Sequence, residues 1–161
     1  MNARTTGIVA VVLGLVALHY TLRPILDWRA GIDFLVVAVL VVAVRVRPGT
    51  AAAAGFLIGL VADALTPEAF GAGALAGTMV GYAASRLKSA FFVDDVRLNA
   101  IFVFVGKMAF DVVFLLAERR LTGAPLLAQL FVWTPLAALV TAAVGLVVMA
   151  LVRPTLERRR A

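Results

Sequence analysis

The 161-residue chain has no cysteine, and histidine occurs only once, at His19. The missing cysteines exclude disulfides and thiolate metal sites. A lone histidine leaves no set of imidazoles from which a metal centre would be assembled. Charge is sparse as well, at 15% of residues. None of it is arranged as a nucleophile beside a base, a glycine-rich phosphate loop or a pair of acids with a supporting base. The sequence therefore gives no apparatus for an enzyme and no reason to expect a cofactor or a metal. Long polar stretches are also lacking, so the loops are too short to carry an extramembrane active site or a second domain.

What is present is apolar. Hydrophobic residues make up 63% of the chain and the mean hydropathy is +1.05. Soluble domains sit near 45–50% apolar, and a core this small cannot hide the excess. The bilayer is the expected solvent. The net charge of +6 would suggest nucleic acid for a soluble domain. Here the basic residues fall between apolar runs, where membrane topology and anionic headgroups account for them and no nucleic acid is called for. The N-terminal MNART and the apolar run after it resemble a signal peptide, but no small-residue cleavage site closes the run before Arg23. It reads as a retained first transmembrane helix.

A spanning helix needs roughly 20 mostly apolar residues. Six segments qualify, at about 5–22, 31–46, 50–66, 69–85, 98–117 and 133–152, with Thr134-Pro135 as the expected cap and first turn of the sixth. The fold class expected is thus all-α, a polytopic six-transmembrane-helix bundle over residues 1–161. Arg4, Arg45, Arg47, Arg86, Lys88, Arg97, Arg153, Arg158, Arg159 and Arg160 lie on one side of it, and Arg23, Arg29, Arg119 and Arg120 on the other. The positive-inside rule then puts both termini in the cytoplasm. Tyr20, Trp28 and Trp133 fit an aromatic belt on the outer side. Residues 86–97 read as an amphipathic strip on the inner leaflet. Residues 121–132 read either as an outer interfacial segment or as an extension of the sixth helix.

Two patterns stand out. Gly55, Gly59 and Asp63 are spaced by four, and Gly73, Gly77 and Gly81 repeat that period on the next helix. Small residues at this spacing let membrane helices approach closely, so the two helices are expected to form a tight hairpin. The second pattern is intramembrane charge. Lys107 and Asp111 are one turn apart on the fifth segment and can pair along one face. Counted at about 1.5 Å per residue, Asp63 reaches nearly the depth of Asp111. The reading taken is architectural, a neutralised cluster of Asp63, Lys107 and Asp111, with an ion path or a pocket for a small solute as the alternative. His19 is expected at the outer membrane interface, Glu118, Arg119 and Arg120 in a solvated loop, and the terminal arginines as a topology anchor that also meets anionic lipid.

The stretch GFLIGLVADALTPEAFGAGAL followed by GTMVGYAASRLK resembles the central signature of the rod shape-determining MreD family. That signature is a glycine helix ending in Gly-Leu-x-x-Asp, a short turn, and a small-residue helix that starts at a glycine and ends near a Gly-Tyr pair. The matching residues are Gly59, Leu60 and Asp63, then Gly71, then Gly81 and Tyr82. The motif covers about a quarter of the chain, while length, span number and cytoplasmic termini agree over the rest. Lys107 and Asp111 map onto no part of it. The resemblance implies a non-enzymatic component of the bacterial inner membrane in the cell-wall elongation machinery. Such a protein associates with an MreC-like partner, and through it with MreB filaments and the RodA–transpeptidase pair. The family's arrangement is also similar to that of the substrate-binding subunits of energy-coupling-factor vitamin transporters, so a small-solute binding subunit is the alternative function.

Overall fold

The computed structural model describes residues 3–26, 31–64, 67–91, 96–118 and 123–157, and all the regular elements among them are helical. The chain is organised around its shortest apolar helix of more than one or two turns. Helix α2 (Phe34–Ala43) has the sequence FLVVAVLVVA, and all ten of its residues are at most 6% exposed. A helix that is apolar all round has no face to offer water. The remaining long helices pack around it: α1 (Ala3–Leu26), α3 (Pro48–Asp63), α4 (Ala72–Phe91), α5 (Val96–Glu118) and α7 (Thr134–Glu157) all touch α2. One layer of core joins Val36 and Leu40 to Ala51, Val80, Phe102 and Val103, and a second joins Leu35 and Val39 to Leu15 and Ile58.

The outer faces are apolar too. Leu13 on α1, Leu57 on α3, Met79 on α4, Val105 on α5 and Leu139 on α7 are all exposed. A contiguous apolar exterior on this scale marks a membrane or a partner rather than water. Among the described residues, two helical runs are long and apolar enough to cross a membrane, Val96–Glu118 and Ala124–Leu151. Helices Thr6–Leu22, Phe34–Ala43 and Pro48–Asp63 are apolar but shorter. At about 1.5 Å per residue α2 rises only about 15 Å, half of a hydrocarbon core.

Several boundaries differ from the sequence expectation for identifiable reasons. Helix α2 is trimmed at both ends. Asp33 caps it, accepting the N–H groups of Leu35 and Val36 at 3.1 and 3.2 Å, and Pro48 forces Arg47 into extended backbone (φ −73°, ψ 156°) before α3 begins. Helix α4 starts later than expected because a 3-10 turn, Pro67–Ala69, and Gly71 at φ +96° intervene. It then runs on to Phe91, and α5 begins at Val96. The supposed interfacial strip 86–97 is therefore largely the end of one helix and the start of the next, with 92–95 outside the described residues. Lys88 Nζ in this strip and Ser85 Oγ just before it both donate to the Val46 carbonyl, at 2.7 and 2.8 Å, fastening α4 to the α2–α3 turn.

The sixth segment also differs. Thr134 does not cap a helix, because its own backbone is helical (φ −62°, ψ −48°). The helix arrives through α6 (Ala124–Ala128) and a π turn, Gln129–Trp133, so the segment before Thr134 is an extension of α7. Pro135 explains the π turn: it has no N–H for the Phe131 carbonyl, and its ring would strike that carbonyl in a regular helix. Trp28, Arg29, Arg119, Arg120, Arg158, Arg159 and Arg160, given roles as belt, loop or anchor from sequence, lie outside the described residues, as do the side chains of Arg4, Arg23 and Arg153.

Candidate functional site

The α3–α4 hairpin is built on a ladder of small residues. A Cβ on Gly55 would fall on the Gly77 carbonyl, and one on Gly59 on the Gly73 carbonyl. A Cβ on Gly81 would sit 2.5 Å from the Ala51 carbonyl oxygen. The rungs Ala51–Gly81, Gly55–Gly77 and Gly59–Gly73 follow one another at single-turn intervals in antiparallel register. The backbones themselves are the contact surface, as small residues permit in membrane helices.

Asp63 occupies the next position along this face and closes the ladder. It is fully buried. Its carboxylate accepts three backbone N–H groups from the start of α4: Gly71 at 3.0 Å and Ala74 at 2.9 Å on Oδ2, and Gly73 at 2.9 Å on Oδ1. These are among the donors a helix leaves unsatisfied at its N-terminus, where the dipole also favours negative charge. Asp63 is thus the cap of α4, supplied by the preceding helix. Gly73 has a double role, since a Cβ there would lie 2.5 Å from Asp63 Oδ1 and 3.1 Å from the Gly59 carbonyl oxygen. Gly71 supplies the left-handed backbone that turns its N–H towards the carboxylate.

This geometry predicts the order of two substitutions. In Asp63→Asn the amide oxygen can serve Gly71 and Ala74, but its NH2 then faces the Gly73 N–H, donor against donor. Asp63→Ala loses all three acceptors. The expected losses of stability are about 1–3 kcal/mol for asparagine and more for alanine, read as thermal midpoints by circular dichroism in detergent. Equal midpoints for wild type and alanine would remove the capping role.

A second locus gathers charge inside the bundle. Lys107 of α5 is 6% exposed. Its Nζ donates to Asp111 Oδ1 at 2.5 Å, one turn along the same helix, and to Asp33 Oδ2 at 2.9 Å, at the entry to α2. It also lies 5.7 Å from the Phe110 ring centroid. Asp33 is held from four directions. Its Oδ1 caps α2, its Oδ2 receives Lys107, its backbone N–H donates to Thr141 Oγ1 of α7 at 3.2 Å, and His19 Nδ1 of α1 lies 3.9 Å from Oδ1. Four segments, α1, the start of α2, α5 and α7, therefore meet at one buried polar point.

The structure divides the expected residues differently from the sequence. Lys107 and Asp111 pair as anticipated. Asp63 is not the third member of their cluster, because its oxygens are taken by the α4 backbone; Asp33 holds that place. His19 is buried, at 3% exposure, with its ring edge-on to Tyr20 at 5.4 Å. Tyr82 does not pack inside the hairpin. Gly81 takes the inward position, and the next residue, turned by about 100°, is 45% exposed with the Arg86 guanidinium 5.6 Å from its ring centroid. Sequence reasoning missed Asp33 and Thr141. Asp33 had a usable signal, an acid directly before a long apolar run, which is the pattern of a helix cap; Thr141 had none. Comparison of the chain with protein-family models, with curated proteins and with solved structures finds no match in any of the three.

Proposed function

We propose that this chain is a non-enzymatic scaffold subunit of the bacterial inner membrane, of the MreD type, which spans the bilayer six times with both termini in the cytoplasm. It binds an MreC-like membrane partner and thereby links to MreB filaments and the RodA–transpeptidase pair of cell-wall elongation. The observation that carries this reading is the joint use of the signature residues. Gly59, Gly71 and Gly81 with Asp63 all serve one device, a backbone-to-backbone hairpin capped by a buried carboxylate. Such a hairpin is stiff and presents Phe56, Leu57, Met79 and Tyr82 outwards, the kind of surface on which a membrane helix docks by close packing.

The test is joint expression with the MreC-like protein of the same organism, followed by capture through the partner. Wild type is expected to co-purify, and Gly59→Leu and Asp63→Leu to be recovered with the partner at least about 10-fold less, a loss of about 1.4 kcal/mol or more in binding. Absence of a wild-type complex sinks the proposal. So does wild-type recovery of both variants after stable insertion. The convergence of His19, Asp33, Lys107 and Thr141 at one buried point favours a second reading, the solute-binding subunit of an energy-coupling-factor-type transporter. Co-purification with a transporter ATPase module instead of the MreC-like protein would select it.

A further inference from the structure

We propose that the step where the α2–α3 turn meets α4 binds one anionic phospholipid, with its headgroup phosphate on Arg47, Arg86 and Lys88 and its acyl chains along the exposed face of α4. The proposal rests on the membrane reading of the chain and concerns the subunit without its partner. It starts from the shortness of α2. That helix ends at Ala43, and the chain turns back into α3 at Pro48. Helix α4 passes this turn and continues. Ser85 Oγ meets the Val46 carbonyl, and the helix then runs on to Phe91, about 9 Å further at 1.5 Å per residue. The turn is therefore a step set back from the end of its neighbour. Gly49 on it is exposed, and a Cβ there would meet nothing within 4 Å, so the step is open.

Three cations flank this step, and none of them meets a carboxylate among the described residues. Arg47 is exposed and makes no capping bond to α3. One turn beyond the Ala51–Gly81 rung, it comes opposite Ser85. Arg86 follows Ser85 on the outside. Its Nε donates to the Tyr82 hydroxyl at 3.3 Å, which leaves both NH2 groups of the guanidinium to bind elsewhere. Lys88 Nζ is pinned on the Val46 carbonyl at 2.7 Å, so its charge is fixed at the turn with two N–H groups to spare. Guanidinium groups match phosphate oxygens in pairs, and an ammonium adds a point charge.

The exposed face of α4 says what carries the phosphate. Leu75, Met79, Tyr82 and Arg86 follow one another along one stripe of that helix, and Leu75 and Met79 are 48% and 52% exposed. The order is apolar, apolar, amphipathic, cationic. A tyrosine ring settles at the level of lipid headgroups, and Arg86 stands one turn beyond it. From Leu75 to Arg86 the helix rises about 16 Å, close to half of a hydrocarbon core of about 30 Å. A free phosphate would use only the top of this stripe, whereas a phospholipid fits its whole length. Met79 and Tyr82 also belong to the surface offered to a partner helix, so lipid fills the track in the free subunit.

The probes are phosphatidylglycerol, which is anionic, and phosphatidylcholine, which brings its own cation, with identical acyl chains. The full-length protein in detergent receives both in equal amounts, and retained lipids are counted by native mass spectrometry. Wild type is expected to keep one phosphatidylglycerol, favoured at least about 10-fold over phosphatidylcholine. Arg47→Gln with Arg86→Gln is expected to bring the two lipids within about 2-fold of each other. Lys88 is left in place because it also fastens the turn. Arg159→Gln with Arg160→Gln removes the same charge elsewhere and is expected to keep the preference, and excess inorganic phosphate is not expected to displace the lipid. A wild type that keeps both lipids alike overturns the proposal whatever the variants do. An equal loss in the tail variant overturns the site, since the effect is then one of net charge, and displacement by inorganic phosphate overturns the lipid as its occupant. A chain that does not enter the membrane fraction on expression defeats the membrane reading and this proposal together. A membrane-integrated chain with no lipid preference defeats the proposal alone.

Discussion

Gly59→Leu is expected to unfold the α3–α4 hairpin, with a loss of stability of at least about 3 kcal/mol, at the upper end of what overpacking costs in a well-packed core. The reason is what the new side chain meets. At Gly59 the Cβ alone falls on the Gly73 carbonyl, with the Ala74 nitrogen 2.7 Å away. These are backbone atoms, so no rotamer change relieves the overlap and the two helices must move apart. Moving them apart also draws Gly73 and Ala74 away from Asp63, which removes the cap of α4 at the same time. Even Gly59→Ala is expected to lower the melting temperature clearly, since the clash begins at Cβ. The control is Gly14→Ala on α1, where an added Cβ meets nothing within 4 Å. There the gain in helix propensity is expected to stabilise by about 0.5–1 kcal/mol. Thermal melts of the three variants in one detergent test the ladder. If Gly59→Ala and Gly14→Ala shift the midpoint alike, the backbone contact is not where the structure puts it.

The contrast between these glycines shows what a sequence can carry. Four-residue spacing of Gly55, Gly59, Gly73, Gly77 and Gly81 made the close hairpin legible, because a helix face is a local property that repeats every turn. The apolar run within about 31–46 was legible as a helix, though not that its middle would be the centre of the bundle. Depth counted along the helices brings Asp63 to the level of Asp111. Depth says nothing about azimuth, however, and there the inference went astray. Asp63 lies on the face turned to α4, whereas Lys107 reaches the start of α2 and Asp111 on its own helix, so Asp63 stands apart from that pair. His19 turns inwards for the same reason, since a place near the end of an apolar run does not fix which way the side chain points. Which side of a helix meets which neighbour is fixed by the packing of all the others, and a single sequence does not hold that.

Removing the Lys107 ammonium from between Asp33 and Asp111 is the second large effect. Lys107→Met is expected to cost about 3–5 kcal/mol, the range found when one member of a buried ion pair is deleted. Methionine matches the length of the lysine stem and keeps its apolar contacts, so the loss reports on charge, not on a cavity. What is left behind is Asp33 with two N–H groups of α2 as its support and Asp111 with its short ion pair gone. The cost should therefore be recovered by neutralising the acids. Asparagine is as good a helix cap as aspartate, so Asp33→Asn leaves the start of α2 intact while removing its charge. The triple variant Lys107→Met, Asp33→Asn, Asp111→Asn is expected to melt within about 1 kcal/mol of wild type, since replacing a whole buried ion cluster by neutral groups is often neutral in energy. Each acid neutralised alone in the presence of Lys107 is expected to be destabilising, and neutralised in its absence stabilising. That reversal of sign is the signature of direct coupling in a double-mutant cycle. If Lys107→Met melts like wild type, or if the two aspartate substitutions act the same way with and without the lysine, the cluster does not hold α5 to α2 by charge.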